Sequence, residues 1–342
     1  MMSKKRLEWV DIARGILIIF VCIGHGNTYW FFNKWIYSFH VSAFFILSGM
    51  LFKTNSGESF HVFLVKKSKR LLLPYVLLGA IYIIIKTVLT FYFEQKIIIL
   101  DLLKEFLLGR NIGSSWFIIA LFLIVISEFF LHKLKLKHRL PIIACLFAIG
   151  FIINYYIEEQ FFLNIPAVLV SILLFETGFL AKQYDIITKL TKTAKSVLIT
   201  VGVSLCVSII STLLNTKVNM FHTQCGNVLL YLAGALSGTY IVFCISIFME
   251  KSRFLKKPFM FYGVNTFPIL EFHTYPVFWL ITAFVNKFNL LSNNIFIKNT
   301  EGIIYTLTAL LILTPVILFL NRYLPWFVGK SRKTGAVNMV DS

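Results

Sequence analysis

The stretch RLEWVDIARGILIIFVCIGHGNTYW, residues 6–30, decides the fold class. Its apolar run is long enough to cross the hydrocarbon core of a bilayer as a helix, which takes about 20 residues. Similar runs recur along the chain, whereas transmembrane β-strands would alternate over segments of about ten residues. The sequence therefore predicts an all-α membrane protein with about ten transmembrane helices around a polar intramembrane cavity. The predicted spans lie near residues 12–32, 36–53, 71–93, 115–131, 141–157, 164–181, 196–214, 226–249, 262–285 and 302–322.

The composition excludes other broad classes of protein. The 342 residues are 58% hydrophobic, 16% aromatic and 14% charged, whereas soluble domains carry roughly 25% charged residues. Too little polar surface is present to cover a water-exposed globule, which excludes a soluble enzyme, a disordered protein and a secreted disulfide scaffold. The five cysteines show no paired spacing, so we expect neither a disulfide nor a metal framework.

The net charge of +18 comes mainly from basic residues in the predicted loops. This distribution does not indicate a nucleic-acid-binding surface. With the N-terminus in the cytoplasm, most of the 33 basic residues fall in cytoplasmic loops, as the positive-inside rule expects. Both termini are then cytoplasmic. We expect residues 1–330 to form a single polytopic domain and residues 331–342 a short cytoplasmic tail. The excess of Lys over Arg favours a bacterial source and hence the plasma membrane.

Ionisable residues in the first predicted span indicate a site, because charged side chains are costly in hydrocarbon. Asp11 and Arg14 are three residues apart and can pair on one helix face. Arg14 and His25 are eleven residues apart, about three turns or 16.5 Å, and share that face. We predict that a substrate lies along this stripe, with its anionic end at Arg14 and its reactive end at His25.

Other polar residues extend the predicted site. Two prolines in the ninth span, Pro268 and Pro276, predict a kinked helix that lines a cavity. A basic cluster before the third span can hold phosphate groups. Its members are Lys66, Lys67, Lys69 and Arg70. The remaining residues that we single out are His40, Trp116, Glu271 and His273.

Five segments, in order, resemble the signature of the acyltransferase 3 family of integral-membrane acyltransferases. The first is Asp11 with the Arg14–His25 pair. FHVSAFFILSGMLFK (39–53) and KRLLLPY (69–75) follow, and then come SSWFIIALF (114–122) and YGVNTFPILEFH (262–273). The resemblance is closest to the fucose-4-O-acetylase-like branch. Ser42, Ala43 and Ser115 depart from the usual pattern of relatives, at positions that the resemblance assigns to the acceptor side.

The resemblance implies an O-acyltransferase that moves an acetyl group from cytoplasmic acetyl-CoA to a hydroxyl of an extracytoplasmic or lipid-linked carbohydrate. His25, Arg14 and Asp11 would be catalytic, with His25 as general base. Arg14 and the basic cluster Lys66, Lys67, Lys69 and Arg70 would bind acyl-CoA. His40, Trp116, Glu271 and His273 would bind the acceptor or orient the base. No tightly bound cofactor or metal is expected, and acetyl-CoA is a co-substrate.

Several alternatives stay open at this point. An acetyl-histidine intermediate at His25 would replace direct transfer, and another short acyl group would replace acetyl. A transporter or flippase of lipid-linked glycans would also use an intramembrane His and a kinked helix. We expect the lipid bilayer and a carbohydrate as partners, with no nucleic acid and with homo-oligomer formation undecided.

Overall fold

The computed structural model describes residues 7–53, 57–110, 116–156, 161–288 and 295–330, with side chains from Thr300 onward in the last range. The predicted tail, 331–342, lies outside the described residues. Within those ranges the chain is helical and contains no strand. The helices are α1 (Glu8–His25), α2 (Trp30–Met50), α3 (Phe60–Glu94), α4 (Ile99–Leu107), α5 (Trp116–Leu131), α6 (Leu136–Tyr156), α7 (Ile165–Gln183), α8 (Ile186–Leu190), α9 (Ala194–Leu214), α10 (Val228–Met249), α11 (Arg253–Gly263), α12 (Thr266–Phe272), α13 (Trp279–Lys287) and α14 (Ile295–Tyr323).

Seven segments of the described chain are helical, long and apolar enough to cross a membrane. They are Phe60–Glu94, Leu136–Tyr156, Phe162–Gln183, Ala194–Leu214, Val228–Met249, Thr266–Lys287 and Thr300–Tyr323. The predicted spans that are not among these seven correspond to α1, α2 and α5. Helix α5 is shorter, with 16 residues, and α1 carries Glu8, Asp11 and Arg14. The count of about ten and the orientation of the termini therefore stay predictions.

Helix α1 lies inside the bundle, where α2, α10, α11 and α14 surround it. Most of its residues from Val10 to Gly24 are buried. Protein rather than lipid therefore covers this helix, which is why it carries charges that a lipid-facing span would not tolerate. The charged stripe predicted from the sequence is thus turned towards the interior of the molecule.

Helices α1 and α11 touch through their backbones at two glycines. A Cβ at Gly15 would collide with the carbonyl oxygen of Phe259, and a Cβ at Gly263 would collide with that of Asp11. Small residues permit this approach, as in other membrane bundles. The contact sets the position of the neighbouring Arg14 against the start of α12.

The predicted kink in the ninth span is confirmed. Helix α12 ends at Phe272, and a wider π-type segment, His273–Phe278, connects it to α13. Tyr275 leaves the helical conformation, with φ −131° and ψ 125°. Pro276 lacks an amide hydrogen and cannot continue the helical hydrogen bonding. The break turns successive side chains in different directions, so α12 and the following segment line different cavities.

Candidate functional site

A cavity of about 360 Å³ runs along the charged face of α1, and we call it the Arg14 cavity. Its walls come from α1, α2, α3, α5, α12 and the end of the described chain. The polar residues among those that line it are Asp11, Arg14, His25, His40, Ser48, Lys67, Arg70, Trp116, Asn265, Thr266 and Lys330. The predicted common face of Arg14 and His25 is confirmed, because both side chains line this one cavity.

Arg14 and Asp11 form the ion pair expected from their spacing. Arg14 Nη1 lies 3.5 Å from Asp11 Oδ1, and the Asp11 side chain is nearly buried. Arg14 keeps 27% of its side chain exposed. Asp11 therefore holds the guanidinium against α1 and leaves it facing the cavity.

The basic cluster divides into two faces of α3. Lys67 and Arg70, three residues apart, line the Arg14 cavity. Lys66 and Lys69 are not among the residues that line it, and Lys66 pairs with Glu58 at 3.6 Å. Helical periodicity accounts for the division, because residues three apart share a face and adjacent residues do not. The structure thus brings two of the four predicted residues to the cavity.

Lys330 joins the cavity from the end of the described chain, a contribution that the sequence analysis missed. Its Nζ donates hydrogen bonds to Asn265 Oδ1 at 2.6 Å and to Asn321 Oδ1 at 2.7 Å. Asn321 Nδ2 also donates to Asn265 Oδ1 at 3.0 Å. The network adds a positioned ammonium near Arg14. Only the packing of α14 against α12 reveals it.

Two further imidazoles flank the site, and their tautomers follow from backbone contacts. His40 Nδ1 donates to the carbonyl of Ile36 at 2.7 Å, and His273 Nδ1 donates to that of Ile269 at 2.8 Å. A carbonyl only accepts, so Nδ1 carries the proton in both rings. The His273 ring lies perpendicular to that of His25, with centroids 5.0 Å apart. His273 Nε2 has no hydrogen-bond partner within the described residues and is an available acceptor beside His25.

Lys217, a lysine outside the predicted spans, lies near His40, with the ring of Tyr37 between them. Lys217 Nζ lies 4.3 Å from the ring centroid of Tyr37, whose ring is 5.0 Å from that of His40. Partial burial lowers the pKa of Lys217. Tyr37 separates the ammonium from His40, so Lys217 adds positive charge to the surroundings of the imidazoles rather than a direct contact.

The other predicted acceptor residues occupy different environments. Trp116 lines the Arg14 cavity and packs against Phe221 with tilted rings, whose centroids are 5.6 Å apart. Glu271 is 1% exposed, and both of its carboxyl oxygens lack a hydrogen-bond partner within the described residues. Neither Glu271 nor His273 is among the residues that line the Arg14 cavity. His273 contacts the site through the ring of His25, whereas Glu271, two residues before His273, is buried away from the Arg14 cavity.

A second cavity, of about 530 Å³, meets the other end of α1, and we call it the Lys86 cavity. It is lined by His25, Gly26, Asn27, Tyr82, Lys86, Thr274, Tyr275, Phe278, Trp279, Thr282, Glu301 and Tyr305. His25 is the one residue among the described linings that belongs to both cavities. Sequence reasoning missed this second cavity, although Lys86, a cation inside a predicted span, was a usable signal.

A polar cluster outside both cavities has ligand types that bind metals. Each residue of this cluster offers one ligand atom, and the three atoms lie within 4.8 Å of one another; the residues are Glu128, His132 and Glu176. Arg139 donates to Glu176 at 2.7 Å, and its Nη1 lies 3.1 Å from His132 Nδ1. A guanidinium only donates, so Nδ1 accepts and Nε2 carries the proton in a neutral ring. No Nε2 lone pair is then available to a metal, and the cluster fits an ion-pair network linking α5, α6 and α7.

Most of the residues of both cavities lie in a range of the chain that matches a known protein family. A family model described as an acyltransferase domain matches residues 7–322. The matched range includes α1, the basic cluster of α3, the broken helix and all the residues that line the Lys86 cavity. No curated protein and no solved structure matches the chain.

Proposed function

The chain belongs to the acyltransferase 3 family and is a membrane acyltransferase, and from that premise we propose that it transfers an acetyl group from cytoplasmic acetyl-CoA to a carbohydrate hydroxyl. The acceptor would be an extracytoplasmic or lipid-linked glycan. The resemblance of the five segments is confirmed at the level of the family. The fucose-4-O-acetylase-like branch stays a prediction.

One observation carries the proposal: His25 lines both the Arg14 cavity and the Lys86 cavity. A transferase that receives its two substrates from opposite sides needs a reactive group where the two paths meet. An imidazole suits that position because it can take a proton from a hydroxyl and return it to a leaving group. Within this proposal the donor enters the Arg14 cavity and the acceptor enters the Lys86 cavity.

Cationic side chains support the donor's place in the Arg14 cavity. Arg14, Lys67, Arg70 and Lys330 all line it, and guanidinium and ammonium groups are the usual partners of phosphates. Arg14 and His25 are separated by about 16.5 Å along α1. With the coenzyme A phosphates at the cationic end, an extended pantetheine arm would bring the thioester towards His25.

The chemistry is then a direct acyl transfer. Neutral His25 removes the proton from the acceptor hydroxyl as its oxygen attacks the thioester carbonyl carbon. The tetrahedral intermediate collapses, the carbon–sulfur bond breaks, and the imidazolium returns the proton to the coenzyme A sulfur. His273 Nε2 would accept a hydrogen bond from His25 and orient the ring. General acid–base help of this kind typically contributes about 10²–10⁴-fold.

The experiment that tests the proposal compares purified wild-type protein with His25→Ala and Arg14→Ala. We expect wild type to bind acetyl-CoA and to hydrolyse it slowly when water replaces the acceptor. Arg14→Ala should bind coenzyme A weakly, since a phosphate partner is lost. His25→Ala should bind it normally but release acetate at least about 10²-fold more slowly. Binding is read by thermal shift and turnover by thiol release.

Two results would overturn the proposal. Substantial turnover by a folded His25→Ala protein would remove the imidazole from the chemistry. If no variant responds to coenzyme A, the assignment of acetyl-CoA as the donor fails.

A further inference from the structure

The walls of the Lys86 cavity are suited to a sugar ring. Tyr82, Tyr275, Trp279 and Tyr305 all contribute aromatic side chains to it. Tyr275 and Trp279 lie with ring centroids 5.5 Å apart, and Tyr82 and Tyr275 with centroids 6.0 Å apart. Aromatic rings with polar tips bury an apolar surface while offering hydroxyl groups to a ligand. A pyranose, with one C–H face and a rim of hydroxyls, matches such a lining.

Lys86 gives this cavity a positive charge on its α3 side. Its Nζ lies 5.7 Å from the ring centroid of Tyr82 and 5.6 Å from that of Tyr275. Among the described residues no carboxylate forms a salt bridge with it, and Glu94, two turns further along α3, pairs with Lys96 at 3.7 Å. A cation inside a membrane helix is costly and usually has a partner or a function. The two rings offset part of that cost and leave the ammonium available to a ligand.

The α14 side of the cavity carries a negative charge from Glu301. Glu301 Oε2 accepts a hydrogen bond from Asn27 Nδ2 at 3.0 Å, and Asn27 follows His25 by two residues. A carboxylate accepts hydrogen bonds from sugar hydroxyls and repels other anions. The cavity therefore has two chemically different regions. Hydroxyl groups fit beside Glu301 and His25, and a negatively charged group fits beside Lys86.

We propose that the Lys86 cavity is the acceptor site and that it selects a glycan bearing a negative charge on or next to the acylated sugar. The charged group is a carboxylate or a phosphate, both of which an ammonium binds. This inference rests on the proposed function, because it assumes that the acceptor hydroxyl approaches His25 from this side. The family match by itself does not indicate whether the acceptor is charged.

The test uses three soluble probes with purified wild-type protein and radiolabelled acetyl-CoA: methyl β-glucoside, methyl β-glucuronide and methyl β-glucoside 6-phosphate. We expect at least one anionic probe to be acetylated with a kcat/KM about tenfold or more above that of the neutral probe. Lys86→Gln should bring this ratio close to one, and Lys86→Arg should keep most of it. Lys96→Gln is the matched control: this lysine is exposed at the same end of α3 and should leave the ratio unchanged.

The outcomes separate this inference from the proposed function. Preference for the glucuronide indicates a sugar acid, and preference for the phosphate indicates a phosphorylated glycan. Equal transfer to all three probes overturns the inference, as does a ratio that Lys86→Gln does not change. If no probe is acetylated and none alters the rate of acetyl-CoA hydrolysis, the acceptor site is misassigned. Absence of acetyl-CoA hydrolysis in wild type would instead overturn the proposed function.

Discussion

Lys67 and Arg70 illustrate how one helical turn separates residues that look equivalent in the sequence. Both line the Arg14 cavity, whereas Lys66 and Lys69, each next to one of them in the chain, are not among its lining residues. The sequence identifies the basic cluster but not its inward face, because Lys66 with Lys69 and Lys67 with Arg70 have the same spacing. Only the packing of α3 against α5 and α12 decides between the two pairs.

This division predicts different effects on donor affinity. The double variant Lys67→Gln/Arg70→Gln should raise the KM for acetyl-CoA by about tenfold or more, since two phosphate partners are lost. The matched double variant Lys66→Gln/Lys69→Gln removes the same charge from the same helix and should change KM less than about twofold. Initial rates of thiol release measure both. Equal effects of the two variants would mean that the cluster acts only through its overall charge.

At the scale of the element, two contacts place the reactive groups. The close approach of α1 and α11 at Gly15 and Gly263 sets α1 beside the broken helix. The π-type segment His273–Phe278 then brings His273 to His25 and turns Tyr275 into the Lys86 cavity. The prolines predicted the break, but the direction in which each side chain leaves it depends on the surrounding helices.

The α1–α11 contact predicts that Gly15→Ala is destabilising. The added Cβ would collide with the backbone of Phe259, so the two helices must move apart, which typically costs about 1–3 kcal/mol. We expect a lower melting temperature in detergent and less folded protein by size-exclusion chromatography. Gly202→Ala in α9 is the control, because nothing lies within 4 Å of its added Cβ. That control should be neutral or stabilising, since alanine favours the helix by about 1 kcal/mol. Equal losses in both variants would argue against close packing at Gly15.

At the scale of the whole molecule, the two cavities approach His25 from different ends of α1. Lys69 lies near the Arg14 cavity, towards the start of α3, and Lys96 lies just beyond the end of that helix. A helix of 35 residues is about 52 Å long, enough to cross a bilayer with both ends in water. The positive-inside rule predicts that the Lys69 end is cytoplasmic.

Cysteine labelling tests this arrangement. In a background lacking the five native cysteines, Lys96→Cys should react with a membrane-impermeant maleimide in right-side-out vesicles. Lys69→Cys should react in inverted vesicles only, because its end of α3 faces the cytoplasm. Each variant serves as the control for the other. The reverse pattern would invert the predicted topology and place the donor cavity outside.

The sequence by itself determined the class of protein, the ion pair of Asp11 and Arg14, the shared face of Arg14 and His25, and the break near Pro276. These features depend on composition and on local helical periodicity, which act within a few turns of one helix. Tertiary structure decided the rest: Lys330 beside Asn265 and Asn321, the meeting of His25 with His273, and the Lys86 cavity with Glu301. Apart from the Lys330–Asn321 hydrogen bond, which spans nine residues, each of these joins residues that are far apart in the chain. The physical reason is that contacts between helices depend on how their faces pack, and spacing along a single helix does not contain that information.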